Sequence, residues 1–273
     1  MNRARITVFP WTGALLALPL LLFLCGAVAW PLAHLAGHAL TAGGGGGEVF
    51  RQVLAAGRYR TALVNSLALS AAAAVVSVLL SIGPAWVLAR ERFRGRDLLR
   101  TAISLPLTFS GVLVGFLMVV LLGRIGAIPK ILGALTGREM LSGAAYTFGG
   151  LFLAYLYFEV PRAVMTLEAA FRRFPRELDA AARTLGAGAL ERLFRIGLPI
   201  AAPALRSTLA VTFSASMGSF GVALILSRRF TVAPLEIYTE MTGFLNDDVA
   251  GALCLALALI TLTVDRLLSL GKR

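Results

Sequence analysis

The chain has 273 residues, of which 58% are hydrophobic and only 15% are charged, and its mean hydropathy is +0.81. A water-soluble domain normally carries about a quarter charged residues, so this composition excludes a chain whose whole surface faces water. The formal net charge of +12 does not indicate nucleic-acid binding, because no basic domain lies outside the apolar runs.

Long uncharged runs predict membrane-spanning helices, because about 20 helical residues cross a hydrocarbon core of ~30 Å. In chain order, the runs without a charged residue are Trp11–Ala33, Thr61–Ala89, Thr101–Gly123, Met140–Phe158 and Ser207–Ser227. A sixth run, Val249–Val264, is shorter, and Asp265 and Arg266 after it can reach the interface from a helix end. We therefore predict an all-α polytopic membrane protein, a single transmembrane domain over residues 1–273. Its six spans are expected at about 11–35, 61–89, 101–123, 141–167, 205–227 and 248–268.

The distribution of lysine and arginine predicts the orientation in the membrane. If the N-terminus is cytoplasmic, sixteen of these residues fall in inside segments and eight in outside segments. Short cytoplasmic loops carry such an excess of positive charge. We therefore predict that both termini lie in the cytoplasm and that the basic residues contact membrane lipid headgroups.

The sequence provides no set of residues for catalysis, a metal or a cofactor. A phosphate-binding loop needs Lys followed by Ser or Thr, but Lys130 precedes isoleucine and Lys272 precedes arginine. An intramembrane serine hydrolase could use the turn at 218–221, but it would need a histidine base in another span. His34 and His38 are the only histidines, and with no acidic residue or cysteine beside them interfacial packing is favoured over a metal site.

The largest predicted cytoplasmic segment runs over about residues 169–200 and is too polar to enter lipid. Pro175 stands at a favoured helix start, and Gly186 and Gly188 predict the helix end. A short exposed helix between two spans needs a partner.

This segment reads Glu177-Leu-Asp-Ala-Ala-Ala-Arg-Thr-Leu-Gly186, followed by Ile196-Gly-Leu-Pro199. It resembles the EAA signature of permease subunits in bacterial ATP-binding-cassette (ABC) importers, where such a helix docks on the cytoplasmic ATPase. The resemblance implies the following ATPase-coupling residues: Glu177, Asp179, Ala181, Ala182, Leu185, Gly186, Ile196, Leu198 and Pro199. One position departs from the family pattern, because Ala180 stands where the family usually has Glu. Asp179, immediately before it, could take the place of that glutamate.

The similarity extends from about residue 60 onward and looks most like the polyamine-type group, through residues 155–162, 218–221 and 234–238. Permeases for 2-aminoethylphosphonate, ferric iron, and sulfate or molybdate show similar patterns. The resemblance implies a type I importer permease fold in a bacterial inner membrane and inward transport of a small solute by alternating access. The implied partners are a cytoplasmic ABC ATPase dimer, a homologous or identical second permease and a periplasmic solute-binding protein. A self-contained secondary transporter is the alternative, but it would need no coupling helix.

Two polar features in the predicted spans indicate either a pathway or helix pairing. Glu159 and Arg162 are three residues apart, share a helical face and can form an ion pair, which in a membrane usually faces the bundle interior. Hydroxyl side chains in the fifth span fall on one face, at Thr208, Thr212, Ser216 and Ser219. We expect the hydroxyl stripe to serve helix packing, whereas the charge pair suits a structural and a pathway role equally.

Overall fold

A computed structural model describes residues 10–31, 33, 34, 37, 47–137, 141–173 and 175–269. The described part of the chain contains helices and no β-strand, which confirms the all-α class. The α-helices are α1 (Pro10–Leu24), α2 (Glu48–Ala55), α3 (Gly57–Arg90), α4 (Arg96–Ser104), α5 (Gly111–Leu122), α6 (Ala127–Thr136), α7 (Phe148–Arg172), α8 (Arg176–Thr184), α9 (Ala189–Arg192), α10 (Leu198–Met217), α11 (Phe220–Leu226), α12 (Ala233–Thr242) and α13 (Asp247–Ser269).

Within the described residues, four helical stretches are long and apolar enough to cross a membrane, namely Gly57–Arg90, Gly111–Thr136, Ala189–Met217 and Asp247–Ser269. Helix α7 has 25 residues, but its second half carries charged side chains at Glu159, Arg162, Glu168 and Arg172. Helix α1 continues into a π-helical turn at Cys25–Ala29. These stretches confirm a polytopic membrane protein, and the division of the chain into six spans stays a prediction.

The centre of the bundle is formed by α3, α7 and α10, which pack against one another. Near one end, Trp86 and Phe171 meet edge to face with ring centroids 5.3 Å apart, in a buried cluster with Leu88, Leu167 and Leu193. We call this end the coupling end, because the segment from α8 to the start of α10 lies there. Helices α3 and α7 both end near this cluster, because Trp86 and Phe171 lie close to their C-termini. Both helices therefore begin at the opposite end of the bundle.

The third predicted span, 101–123, is divided between two helices in the structure. Helix α4 ends at Ser104, a 3₁₀ turn occupies Leu105–Thr108, and α5 begins at Gly111. Pro106 lies in the first turn of the 3₁₀ segment and lacks the N–H that a continuing α-helix would use. The Ser110 hydroxyl then accepts a hydrogen bond from the Leu113 N–H at 3.3 Å and starts the new helix.

The fifth predicted span, 205–227, is likewise divided, because α10 ends at Met217 and α11 begins at Phe220. The Tyr155 hydroxyl of α7 donates a hydrogen bond of 3.1 Å to the Ser219 carbonyl in this break. Helices α5 and α11 start side by side, where a Cβ on Gly111 would lie 3.2 Å from the Val222 nitrogen. They run together from this glycine contact toward the opposite end.

At the opposite end, polar side chains of α3 hold α12 in place. Arg58 Nη2 lies 2.6 Å from Glu236 Oε2, and the Tyr59 hydroxyl donates to Glu240 Oε1 at 2.9 Å. The Ser66 hydroxyl accepts a hydrogen bond from the Ala233 N–H at 2.8 Å. These contacts give a structural role to residues that begin the second predicted span.

Candidate functional site

Helix α8 begins and ends as its sequence predicts. Pro175 is its N-cap, and Glu177 and Asp179 lie in its first turn, where acidic residues complement the helix dipole. At its end, the Gly186 N–H donates to the Arg183 carbonyl at 3.0 Å, and the Ala187 N–H to the Ala182 carbonyl at 3.0 Å. This pair of bonds is a Schellman motif. Gly186 has φ +83°, a conformation that costs an L-residue about 1–2 kcal/mol.

A buried ion-pair network fixes α8 to the following turn and to the end of α3. Arg192 Nη1 lies 2.5 Å from Asp179 Oδ1, and Arg183 Nε lies 3.3 Å from Asp179 Oδ2. Both arginines also approach Glu91 Oε1, at 3.1 Å from Arg183 Nη2 and 3.5 Å from Arg192 Nη2. Arg192 is only 5% exposed, so its charge depends on these carboxylates. The network links α8 to Arg192 of α9 and to Glu91 at the end of α3.

An apolar surface remains uncovered on this rigid segment. Leu185 is 87% exposed, and Leu178, Leu190 and Phe194 are also exposed. Ala181 is also exposed and shares a face of α8 with Leu178 by its spacing, whereas Ala182 is buried. Exposed apolar clusters on an ordered polar segment mark protein contact sites. We call Leu178, Ala181, Leu185, Leu190 and Phe194 the docking surface.

The structure divides the predicted coupling residues between this surface and its support. Glu177 is exposed at the start of α8, whereas Asp179 is buried in the ion-pair network. Ile196 is half-buried in a π-helical turn at Leu193–Gly197. Leu198 and Pro199 form the first turn of α10, where Leu198 packs against the Trp86 cluster. Residues 169–172 of the predicted segment belong to the last turn of α7.

Sequence reasoning missed Glu91, Arg183 and Arg192 as parts of the site. Arg183 and Arg192 lie within the predicted segment. The spacing of Asp179 and Arg183, four residues apart on one helix, was a signal that could have been used. Glu91 is 92 residues from Arg183 along the chain. Only the tertiary structure, which places the end of α3 near Arg183, brings that carboxylate to the network.

The predicted ion pair in α7 is present. Arg162 Nη1 donates to both carboxylate oxygens of Glu159, at 2.7 and 2.9 Å. Glu159 is buried at 3% exposure, while the Arg162 side chain is 34% exposed. Ser216 of α10 lies beside the Glu159 carboxylate. The carboxylate therefore faces the interior of the bundle between α7 and α10.

The predicted hydroxyl stripe is only partly continuous. Thr208 and Thr212 are fully buried, and their hydroxyls donate to backbone carbonyls one turn earlier, at 2.8 and 2.9 Å. Ser216 is buried, whereas Ser219 lies in the break before α11. The hydroxyls of Thr208 and Thr212 are therefore hydrogen-bonded within their own helix, as a packing role predicts.

Within the described residues no three potential metal ligands cluster. His38 lies outside those residues.

Residues 81–268 match the family described as "Binding-protein-dependent transport system inner membrane component". The molybdenum transport system permease protein ModB of Escherichia coli (strain K12) is 31% identical over 215 residues, covering 76% of this chain and 92% of that protein. A probable sulfate transport system permease protein of Chlorella vulgaris is 30% identical, covering 70% of this chain and 72% of that protein. In fold, the chain is similar to the crystal structure of a bacterial alginate ABC transporter with its substrate-bound periplasmic protein, with a TM-score of 0.81 at 19% identity, covering 94% of this chain and 92% of that one.

Proposed function

We propose that this chain, which belongs to the family of inner-membrane components of binding-protein-dependent transport systems, carries a molybdate- or sulfate-type oxyanion. It is a permease subunit of an ABC importer and a transport subunit rather than an enzyme. The polyamine-type likeness inferred from short motifs is not supported, because the similar permeases are molybdenum and sulfate proteins. A self-contained secondary transporter is excluded by the same family membership.

The observation that supports ATPase coupling is the exposed apolar docking surface on a segment held by buried ion pairs. An ATPase that closes on ATP can transmit its motion only to a segment that moves as a unit with the bundle. Asp179 and Arg192 supply that rigidity, and Leu185 supplies apolar contact area. Fully burying a leucine is worth about 1.5–3 kcal/mol, so Leu185 is the principal contact in this proposal.

Substituting Leu185 tests the docking proposal. Leu185→Glu should strongly reduce capture of the ATPase by the tagged permease and ATP-driven uptake, because a buried unpaired carboxylate is costly. Leu245→Glu is the matched control, since Leu245 is 81% exposed after α12 at the opposite end. Equal ATPase capture by the Leu185→Glu variant and the native chain would refute the assignment of the docking surface.

The substrate is tested in membrane vesicles that hold the chain, its second permease, its ATPase and its solute-binding protein. We expect ATP-dependent accumulation of labelled molybdate or sulfate. Accumulation of labelled putrescine with neither oxyanion transported would overturn the substrate proposal while leaving the permease class intact.

The orientation supported by the arginine and lysine distribution places the coupling end and both termini in the cytoplasm, in contact with the ATPase dimer. The opposite end then faces the solute-binding protein, and a second permease completes the pathway. Cysteines placed at Ala187 and Gly45, in a chain without Cys25 and Cys254, should react with an impermeant thiol reagent from opposite sides. Gly45 lies outside the described residues. Labelling of both positions from the same side would refute this orientation.

A further inference from the structure

A basic cavity lies at the end of the bundle opposite the docking surface. The cavity is open to solvent and has a volume of about 560 Å³. Its lining includes the exposed arginines Arg124, Arg228 and Arg229 together with the Tyr146 ring. Val119 and Ile125 contribute apolar wall. The volume is many times the ~30 Å³ share of one water molecule, so the cavity has room for a partly hydrated anion.

The paired helices α5 and α11 bring the three arginines together. The two helices start in contact at Gly111 and Val222 and run side by side. Arg124 follows the end of α5, and Arg228 and Arg229 follow the end of α11. The carboxyl ends of both helices stabilise nearby cations, which offsets part of the repulsion between the guanidinium groups.

The charge of this cavity is uncompensated within the described residues. None of its three arginines lies within ion-pair distance of a described carboxylate, and no described lining residue is acidic. The buried carboxylates at the same end, Glu236 and Glu240, are engaged by Arg58. The Arg228 guanidinium instead lies 5.4 Å from the centroid of the Tyr146 ring, a cation–π contact that orients it.

We infer that this basic cavity binds a free tetrahedral oxyanion of the molybdate or sulfate type. The inference rests on the proposed function, and it adds an anion site within the permease itself. Guanidinium groups form paired charge-assisted hydrogen bonds with the oxygens of such anions. A cavity at the outer end would receive the anion as the solute-binding protein releases it, and its field would raise the local anion concentration. The phosphate of a lipid headgroup could form the same hydrogen bonds, and the experiment distinguishes it from a free oxyanion.

The test measures anion binding to the assembled importer without its solute-binding protein, purified in a phosphate-free maltoside detergent. Equilibrium dialysis against molybdate, with molybdenum quantified in each chamber, gives the Kd. Loss of one charge-assisted contact should weaken binding about tenfold or more, so Arg228→Gln and Arg229→Gln should each raise the Kd by that factor. Arg228→Lys should lie between these variants and the native chain, because it keeps the charge without the planar fork.

Arg51→Gln is the matched control, because Arg51 is an exposed arginine of α2 that does not line the cavity. It should leave the Kd unchanged. Sulfate should compete with molybdate, and added phosphatidylglycerol should leave most of the binding intact. Equal affinity in all variants, or complete displacement by phosphatidylglycerol, would overturn the inference. Oxyanion uptake in vesicles with no arginine-dependent binding in dialysis would refute the cavity while leaving the proposed function standing.

Discussion

The buried ion pair between Asp179 and Arg192 should determine the local stability of the segment from α8 to the start of α10. Asp179→Asn removes the carboxylate that lies 2.5 Å from Arg192 Nη1 and leaves a nearly buried guanidinium. Breaking a buried ion pair from one side costs about 3–5 kcal/mol. Glu91 remains 3.5 Å from Arg192 Nη2 and is partly exposed, so we expect the lower value, about 3 kcal/mol.

A loss of about 3 kcal/mol in local stability corresponds to roughly a hundredfold rise in the open population of the segment. Hydrogen exchange of the α8 amides should accelerate by that factor, and ATP-driven uptake should fall. The central amides of α3 and α7 should exchange at their native rates, because those helices do not depend on Asp179.

The matched control is Arg183→Gln, which removes an exposed partner of the same carboxylate. Exposed ion pairs contribute about 0.2–1 kcal/mol, so exchange should rise less than about tenfold. Asp179→Asn combined with Arg192→Gln should recover much of the protection, because no buried charge is then left unpaired. Native exchange rates in the Asp179→Asn variant would refute the reasoning that the buried pair holds the segment.

Two further predictions concern α7 and the helix end at the docking surface. Glu159→Gln and Arg162→Gln should each lower folded abundance or transport. The double variant should recover part of the loss if the ion pair is structural. Additive losses in the double variant would contradict coupling between the two residues. Gly186→Ala should destabilise the segment by about 1–2 kcal/mol because of its positive φ, whereas Gly188→Ala, with φ −69° and open space around it, should have little effect. Equal stability of the two alanine variants, measured by exchange of the α8 amides, would show that the left-handed conformation is not required. Gly186→Arg should in addition abolish uptake with normal abundance.

The local features of the site could be predicted from the sequence because their causes are local. Apolar runs of about 20 residues indicate membrane helices whatever their neighbours are. Pro175 and Gly186 predicted the ends of α8, since proline suits a helix start and glycine accepts a left-handed conformation. The spacing of Glu159 and Arg162 predicted their ion pair, because residues three apart share a helical face.

The sequence alone determined the all-α membrane class, the ends of helix α8 and the family resemblance, all of which depend on composition and short-range spacing. Pro106 marks the break before α5 in the sequence itself. Only the tertiary structure decided that α11 begins within the fifth apolar run, where the Tyr155 hydroxyl donates to the Ser219 carbonyl in the break. It also decided that Asp179 turns inward to Arg192, which in turn approaches Glu91, rather than outward to a partner. The basic cavity likewise needs two helices, separated by about a hundred residues of chain, to end at the same place. Such contacts depend on which helix faces pack together, and residue spacing along one helix carries no information about that.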